Sequence, residues 1–236
     1  MGDYSNMASY YDVIMTSGYY DYAKIVDNLV LHDNVEKVLE IGCGTGLILE
    51  ELARRKSNLQ ISGIDLTAPM LDIAKQRLQP FKNVDLSQQN VCHLSLGSAY
   101  DLTFSYGGVW YFVIDGDQEP FLVSHIPDHD ANLQGFAKMA QHIAPHGTLL
   151  LGIQGPHHDY ETVISNGMKY SQKIDPTDIG FTKHYYLVDG SKTLMAQTVR
   201  YRTYDFDEAK NMLCSHGLTY VPEKRDKKLF LRFSRA

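Results

Sequence analysis

Seven consecutive residues carry the clearest chemical signal in the chain: Glu40-Ile41-Gly42-Cys43-Gly44-Thr45-Gly46. Glycines at alternate positions let a ligand approach the backbone, because no Cβ stands in the way. A dinucleotide-binding fingerprint would need glycine at position 47, where Leu47 stands, and no phosphate loop of the GxxxxGK[ST] kind occurs. Glu40 precedes the glycines, and a carboxylate aimed into such a loop disfavours pyrophosphate and favours a cation. Asp65 follows 19 residues after Gly46. At the end of a strand it can accept both hydroxyls of a ribose. Its alternative duty, capping the next helix, suits Thr67 better.

Aromatic and histidine side chains form the second signal. Six of the 16 tyrosines lie in the first 22 residues: Tyr4, Tyr10, Tyr11, Tyr19, Tyr20 and Tyr22. With Tyr106, Trp110 and Tyr111 they can wall a pocket whose ring faces attract a cation. The plainer alternative is an amphipathic lid helix with half-buried tyrosine as filler. His125, His129, His157 and His158 cluster in the later sequence. His129 is the candidate general base, with His125 as the alternative, because an ordinary imidazole titrates near neutrality. Pro127 separates this pair, and magnesium would prefer an oxygen triad that is not visible, so no metal is expected.

Around these residues, short apolar runs alternate with segments of helical spacing over residues 20–154. Strands are expected at Lys37–Ile41, Leu59–Asp65, Val84–Gln89, Tyr100–Ser105 and Thr148–Ile153. Helices are expected over 20–32, Leu47–Arg55, Met70–Leu78 and Leu133–Ile143, and residues 113–130 read as a loop. Alternation of this kind implies parallel strands covered by helices, with ligands beyond the carboxyl ends of the strands. After residue 155, aromatic and β-branched runs at Tyr170–Ile174, Phe181–Val188 and Thr193–Tyr204 predict an antiparallel sheet, with Asp189-Gly190 as a hairpin turn. Their tyrosines are too many to leave in water, so this sheet should cover the site of reaction or pair subunits. A last helix, Phe206–His216, and two strands, Leu218–Val221 and Leu229–Phe233, close the chain. The fold class is therefore α/β: a Rossmann-like doubly wound sheet, mostly parallel with an antiparallel terminal strand, plus an inserted antiparallel sheet after strand five. One domain, 1–236, is expected, with 1–32 as lid and first helix and 155–204 as the insertion.

Composition narrows the function. The 236 residues are 44% apolar and 21% charged, with net charge −6. An acidic chain repels phosphate backbones, so nucleic acid is not an expected partner. The basic cluster Lys224, Arg225, Lys227, Lys228, Arg232 and Arg235 reads as a solvated edge. No apolar run suits a membrane span, the first residues lack the layout of a signal peptide, and three unpaired cysteines fit a reducing cytoplasm.

The stretches VLEIGCGTGLILEELARR, GIDLTAPMLDIAKQRL, QQNVCHL and YDLTFSYGG resemble the class I methyltransferases that use S-adenosylmethionine. The tyrosine-rich start and the inserted sheet are similar to amino-sugar N,N-dimethyltransferases and glycine/sarcosine N-methyltransferases. The resemblance implies that Glu40 meets the methionyl ammonium, while Gly42, Cys43, Gly44 and Gly46 line the methionyl part and ribose. Asp65 would take the ribose hydroxyls, and Leu66 and Met70 would sandwich the adenine. Asn90 stands where the family usually has Asp, bonding the adenine amino group beside the Val91 amide. Ser105 would contact the methionine moiety, and Tyr11 and Tyr22 would close over it. Tyr4, Tyr106, Trp110, Tyr111 and His157 are the expected acceptor contacts. Amino-sugar enzymes carry a histidine soon after strand four, and this chain does not. The expected function is methyl transfer to a small molecule, at an amine nitrogen, by a monomer or homodimer. Alternatives are O- or C-methylation, cyclisation of the sulfonium's own side arm, and a non-catalytic binding subunit.

Overall fold

The computed structural model of the chain describes residues 4–29, 34–222 and 229–236. Lys224, Arg225, Lys227 and Lys228 of the basic cluster lie outside the described residues. Near the start are two short helices, α1 (Ala8–Met15) and α2 (Tyr22–Asn28). The strands β1 (Lys37–Ile41), β2 (Gln60–Asp65), β3 (Val84–Gln88) and β4 (Tyr100–Ser105) pair in parallel in the order β3-β2-β1-β4. Helices α3 (Leu47–Arg55) and α4 (Ala68–Leu78) connect the first three. Their apolar residues recur at helical spacing, and Leu49, Leu52, Leu71 and Ala74 are fully buried or nearly so. Burying each such large side chain contributes about 1.5–3 kcal/mol. Gly63 on β2 lets α3 close on the sheet, since a Cβ there would stand 2.5 Å from Leu49 Cδ1.

The expectation for residues 113–130 is corrected by the structure. They are not a loop. β5 (Trp110–Val113) and β6 (Phe121–Ser124) form an antiparallel pair, and α5 (His129–Gln141) starts four residues earlier than periodicity suggests. The Asp128 carboxylate accepts from the Ala131 amide and fixes that start. β7 (Ile143–Gln154) then runs parallel to β4, and its last two residues pair with β5.

The inserted strands form as expected, with one extra. β8 (Tyr160–Val163), β9 (Lys169–Thr177), β10 (Gly180–Asp189) and β11 (Lys192–Asp205) are antiparallel, and β11 continues onto β6. The sheet is therefore continuous with the parallel one through β5 and β7. Alternation along β10 buries Lys183, Tyr185 and Leu187 on one face. The other face carries polar groups, among them the His184–Asp175 pair at 3.0 Å. After α6 (Phe206–Cys214), β12 (Leu218–Val221) and β13 (Phe230–Arg235) add antiparallel strands beside β7. Arg232 and Arg235 of the basic cluster lie on β13, and Arg235 donates to the carbonyls of Ala140 and Ile143. Among the described residues no helix is long and apolar enough to cross a membrane.

One buried polar network ties the β5–β6 pair to α5. Asn132 on α5 is fully buried. Its Oδ1 accepts from Trp110 Nε1 at 2.8 Å and from Ser124 Oγ at 2.6 Å. Its Nδ2 donates to the carbonyls of Ile126 and Asp128. Asn132→Ala should strip partners from both strands of the β5–β6 pair at once. The expected loss is about 3 kcal/mol in urea-unfolding stability, because buried polar groups left unmatched cost roughly 1–3 kcal/mol each.

Candidate active site

The glycine loop after β1 owes its shape to two separate packing demands. Gly42 has φ of 77° and lies against the loop after β4, where an added Cβ would sit 3.0 Å from Gly108 Cα. A side chain at Gly108 would in turn stand 2.6 Å from the Ile41 carbonyl oxygen. The two loops thus meet backbone to backbone. Gly46 opens α3 with φ of 81°, and a Cβ there would come within 2.9 Å of Leu78 Cδ1. A side chain there would face α4, and Gly46 does not line the cavity. Around Gly44 the nearest atom is Tyr11 Cε1, 3.9 Å from where a Cβ would be.

Asp65 does two jobs. Its Oδ2 accepts from the Gly44 amide at 2.9 Å and its Oδ1 from the Thr67 amide at 2.8 Å. Thr67, at the N-cap of α4, makes no side-chain cap. Each carboxylate oxygen retains lone pairs toward the cavity. Burial raises the Asp65 pKa, and the backbone donors hold it down in part.

A single cavity extends from this loop to the second sheet. It encloses about 950 Å³ of space not filled by protein, counting the part open to solvent. Gly42, Gly44, Asp65, Leu66, Met70 and Val91 line one end. Tyr4, Tyr11 and Tyr111 also line it. The far end is closed by Tyr170, Lys183, Tyr185 and Tyr201 of the second sheet and by His125. The hydroxyls of Tyr4, Tyr201 and Tyr185 form a chain with two links of 2.8 Å. Tyr4 Oη also faces His125 Nδ1 at 3.5 Å. Burial raises the pKa of each of these tyrosines and lowers His125 to about 3, so His125 is a neutral imidazole at pH 7.

Several expected site residues stand elsewhere. His129 opens α5 and faces Tyr204 Oη at 3.3 Å, outside the cavity. Trp110 is fully buried, its indole bonded to Asn132 and its ring 4.5 Å from that of Phe136. It is core. Asn90 accepts from the Cys92 amide and so caps the short turn Val91–His93. Cys43 is buried with its thiol toward Gly63. Ser105 is buried behind the Gly108 backbone. Tyr106 packs edge-on against Tyr20 and Phe230, and Tyr22 lies edge-on behind Tyr20. His157 stands behind Tyr111 and Phe181, its Nε2 3.3 Å from Gln154 Oε1. Gln154 itself lines the cavity. Lys183 and Gln89 were not anticipated. The signal for Lys183 was available: it falls in phase with Phe181, Tyr185 and Leu187 along an alternating strand.

Glu40 is 2% exposed and does not line the cavity wall, yet among the described residues its Oε2 has no hydrogen-bond partner. Burial first, and the Asp65 charge second, push its pKa well above the carboxylate range. The N-terminal helix is fastened over the loop by Asp12. Its Oδ1 accepts from Thr45 Oγ1 at 2.6 Å, and its Oδ2 pairs with Arg77, which also holds Glu50 at 2.8 Å.

Residues 38–147 match the family model for a methyltransferase domain. The parallel strand order and the glycine loop after β1 lie within this matched stretch. The chain is similar to the carboxy-S-adenosyl-L-methionine synthase of Campylobacter lari, 32% identical over 97 residues, which are 39% of this chain and 42% of that protein. It therefore spans less than half of that relative's length. Its fold is similar to an amino pentose methyltransferase from Micromonospora echinaspora, solved with S-adenosylmethionine bound (TM-score 0.67, 18% identity, 96% of each chain). It is also similar to a sugar N-methyltransferase from Streptoalloteichus (TM-score 0.65, 14% identity, 100% of this chain and 94% of that one).

Two expected outcomes follow from the buried acid and the fastened helix. A raised Glu40 pKa stabilises the fold fully below ~pH 4.5 and ceases to do so as pH rises through the raised value. Glu40→Gln should therefore make the ligand-free protein more stable at pH 8 by about 1 kcal/mol, a gain that disappears toward pH 4. Urea titrations at the two pH values check this, and S-adenosylhomocysteine affinity should fall in the same variant. Asp12→Ala should cost about 1 kcal/mol and speed amide exchange over residues 8–15 while leaving β1–β4 protected.

Proposed function

We propose that the protein transfers a methyl group from S-adenosylmethionine to a small molecule held in the tyrosine-walled end of the cavity. The observation that carries this reading is the continuity of that cavity, from the Asp65 carboxylate to the underside of the second sheet. The residues present fit the cosubstrate. Glu40 Oε2, buried behind the wall and without a partner among the described residues, suits an ammonium held through water, and the Asp65 lone pairs suit a ribose diol. Leu66, Met70 and Val91 suit an adenine. When bound, S-adenosylmethionine supplies an electrophilic methyl on a sulfonium. The chain's own part is to hold the acceptor in line, exclude water under α1 and the second sheet, and leave neutral hydrogen-bonding groups around the reacting atoms. Positioning of this kind is worth roughly 7–11 kcal/mol of barrier.

An amine nitrogen is the expected acceptor atom, supported by the sequence resemblance. His129 lies too far out to serve as its base, and His125 is the histidine that lines the cavity. His125 holds a proton weakly, so it acts as a hydrogen-bond acceptor at neutral pH. Oxygen or carbon acceptors are compatible with the same cavity.

S-adenosylhomocysteine at a hundredfold over its dissociation constant should stabilise the protein by about 2.7 kcal/mol, read as a rise in Tm. Turnover should release S-adenosylhomocysteine. Release of methylthioadenosine instead would mean that the sulfonium's own side arm reacts, and an unchanged Tm would remove the cosubstrate assignment.

A further inference from the structure

We propose that the acceptor carries an anionic oxygen, a carboxylate or an ionised phenol on a flat body, that pairs with Lys183 under the second sheet. This rests on the methyl-transfer reading, because it concerns the acceptor end of the same cavity. Lys183 sits on the inward face of β10, 2% exposed and in register with Val199 of β11 and Ile174 of β9. Its ammonium lines the cavity, 5.7 Å from the Phe181 ring centre and 5.6 Å from that of Tyr201. Among the described residues it has neither a carboxylate partner nor a hydrogen-bond acceptor. A cation so placed is costly to keep charged unless an anion joins it. Burial alone already pulls its pKa down to about 7.

The rest of the chamber points the same way. The titratable groups that line this end are His125 and the phenols of Tyr4, Tyr111, Tyr170, Tyr185 and Tyr201, all neutral at pH 7. His157, behind Tyr111, is neutral as well. The cavity's carboxylate, Asp65, is at the other end and is bound to the Gly44 and Thr67 amides. A cationic acceptor would therefore meet a second positive charge with no acid to offset it, whereas an anion would restore Lys183 to its charged form. The hydroxyl chain adds a donor. Three hydroxyls joined by two links use two protons, which leaves a third for His125 or for a ligand oxygen. The tyrosine walls favour a planar body. An acid anchor is compatible with methylation at a carboxylate, at a phenol, or at an amine elsewhere on the acceptor.

The test is isothermal titration of the protein saturated with S-adenosylhomocysteine. The probes are substituted benzoates, phenols, the matched benzamides and benzylamines. Benzoates or phenols should bind at least tenfold tighter than the amides and amines, and the comparison between them tells which oxygen acid is preferred. Lys183→Met should bring the acids down to the level of the amides while S-adenosylhomocysteine affinity stays as in the wild type. Lys183→Arg should keep the preference for acids, a second route if the methionine variant folds poorly. Acids that bind no tighter than amides, or an acid preference that survives in Lys183→Met, would overturn the proposal. If S-adenosylhomocysteine itself does not bind, the methyl-transfer reading fails, and the proposal with it.

Discussion

The upper half of this molecule depends on the length of β7. Its parallel neighbour β4 has six residues, whereas β7 has 12. Its last two residues, Ile153 and Gln154, therefore project past the carboxyl edge of the sheet, and there they pair with Phe112 and Val113 of β5. That short pairing starts the second sheet at the edge where ligands of a parallel sheet bind. β6, β11, β10 and β9 follow in order and bend over the glycine loop. The Asn132 network holds the β5–β6 pair to α5 and so fixes the height of the covering sheet. Without the overshoot the cavity would be an open crevice, and its tyrosines would stand in water.

Closure then sets the electrostatics. Every titratable group in or behind the cavity is driven toward its neutral form: Glu40 and Asp65 upward, the tyrosines upward, and His125, His157 and Lys183 downward, with burial the largest cause in each case. A cavity of this kind stores little charge when empty and gains it from its ligands. A cation near Glu40 or an anion near Lys183 would recover the desolvation cost of the residue it meets, which ties binding to protonation at both ends.

Much of the loop end was legible in the sequence because its signals are local. Three glycines, an acid before them and another 19 residues later lie within a single βαβ unit, so spacing along the chain translates directly into position. Even there the glycines differ in purpose: Gly46 serves packing against Leu78, and Cys43 turns its thiol into the core. The β5–β6 pair was missed although Asp115-Gly116 is a hairpin signal. Its strands, WYFV and FLVS, are too short and too uniformly apolar to alternate. Trp110 misled for the same reason. An aromatic residue after a strand end reads alike whether it faces a ligand or fills the core, and only the Asn132 partner on a later helix decides between them.

The acceptor end was hidden because its residues become neighbours only in the tertiary fold. Pairing of β10 with β11 sets Lys183 beside Tyr201, and the segment before α1 and the turn after β6 bring Tyr4 and His125 to them. What sequence does specify is the alternation within each strand, since one residue of slip would turn every side chain of β10 to the other face. Phe181, Tyr185 and Leu187 fix that phase by their need for burial, and Lys183 is carried inward with them. Its inward place is thus imposed by apolar neighbours rather than by any partner of its own. A lysine kept in such a phase, where threonine or valine would pack at lower cost, is more readily explained by what it binds than by what it stabilises.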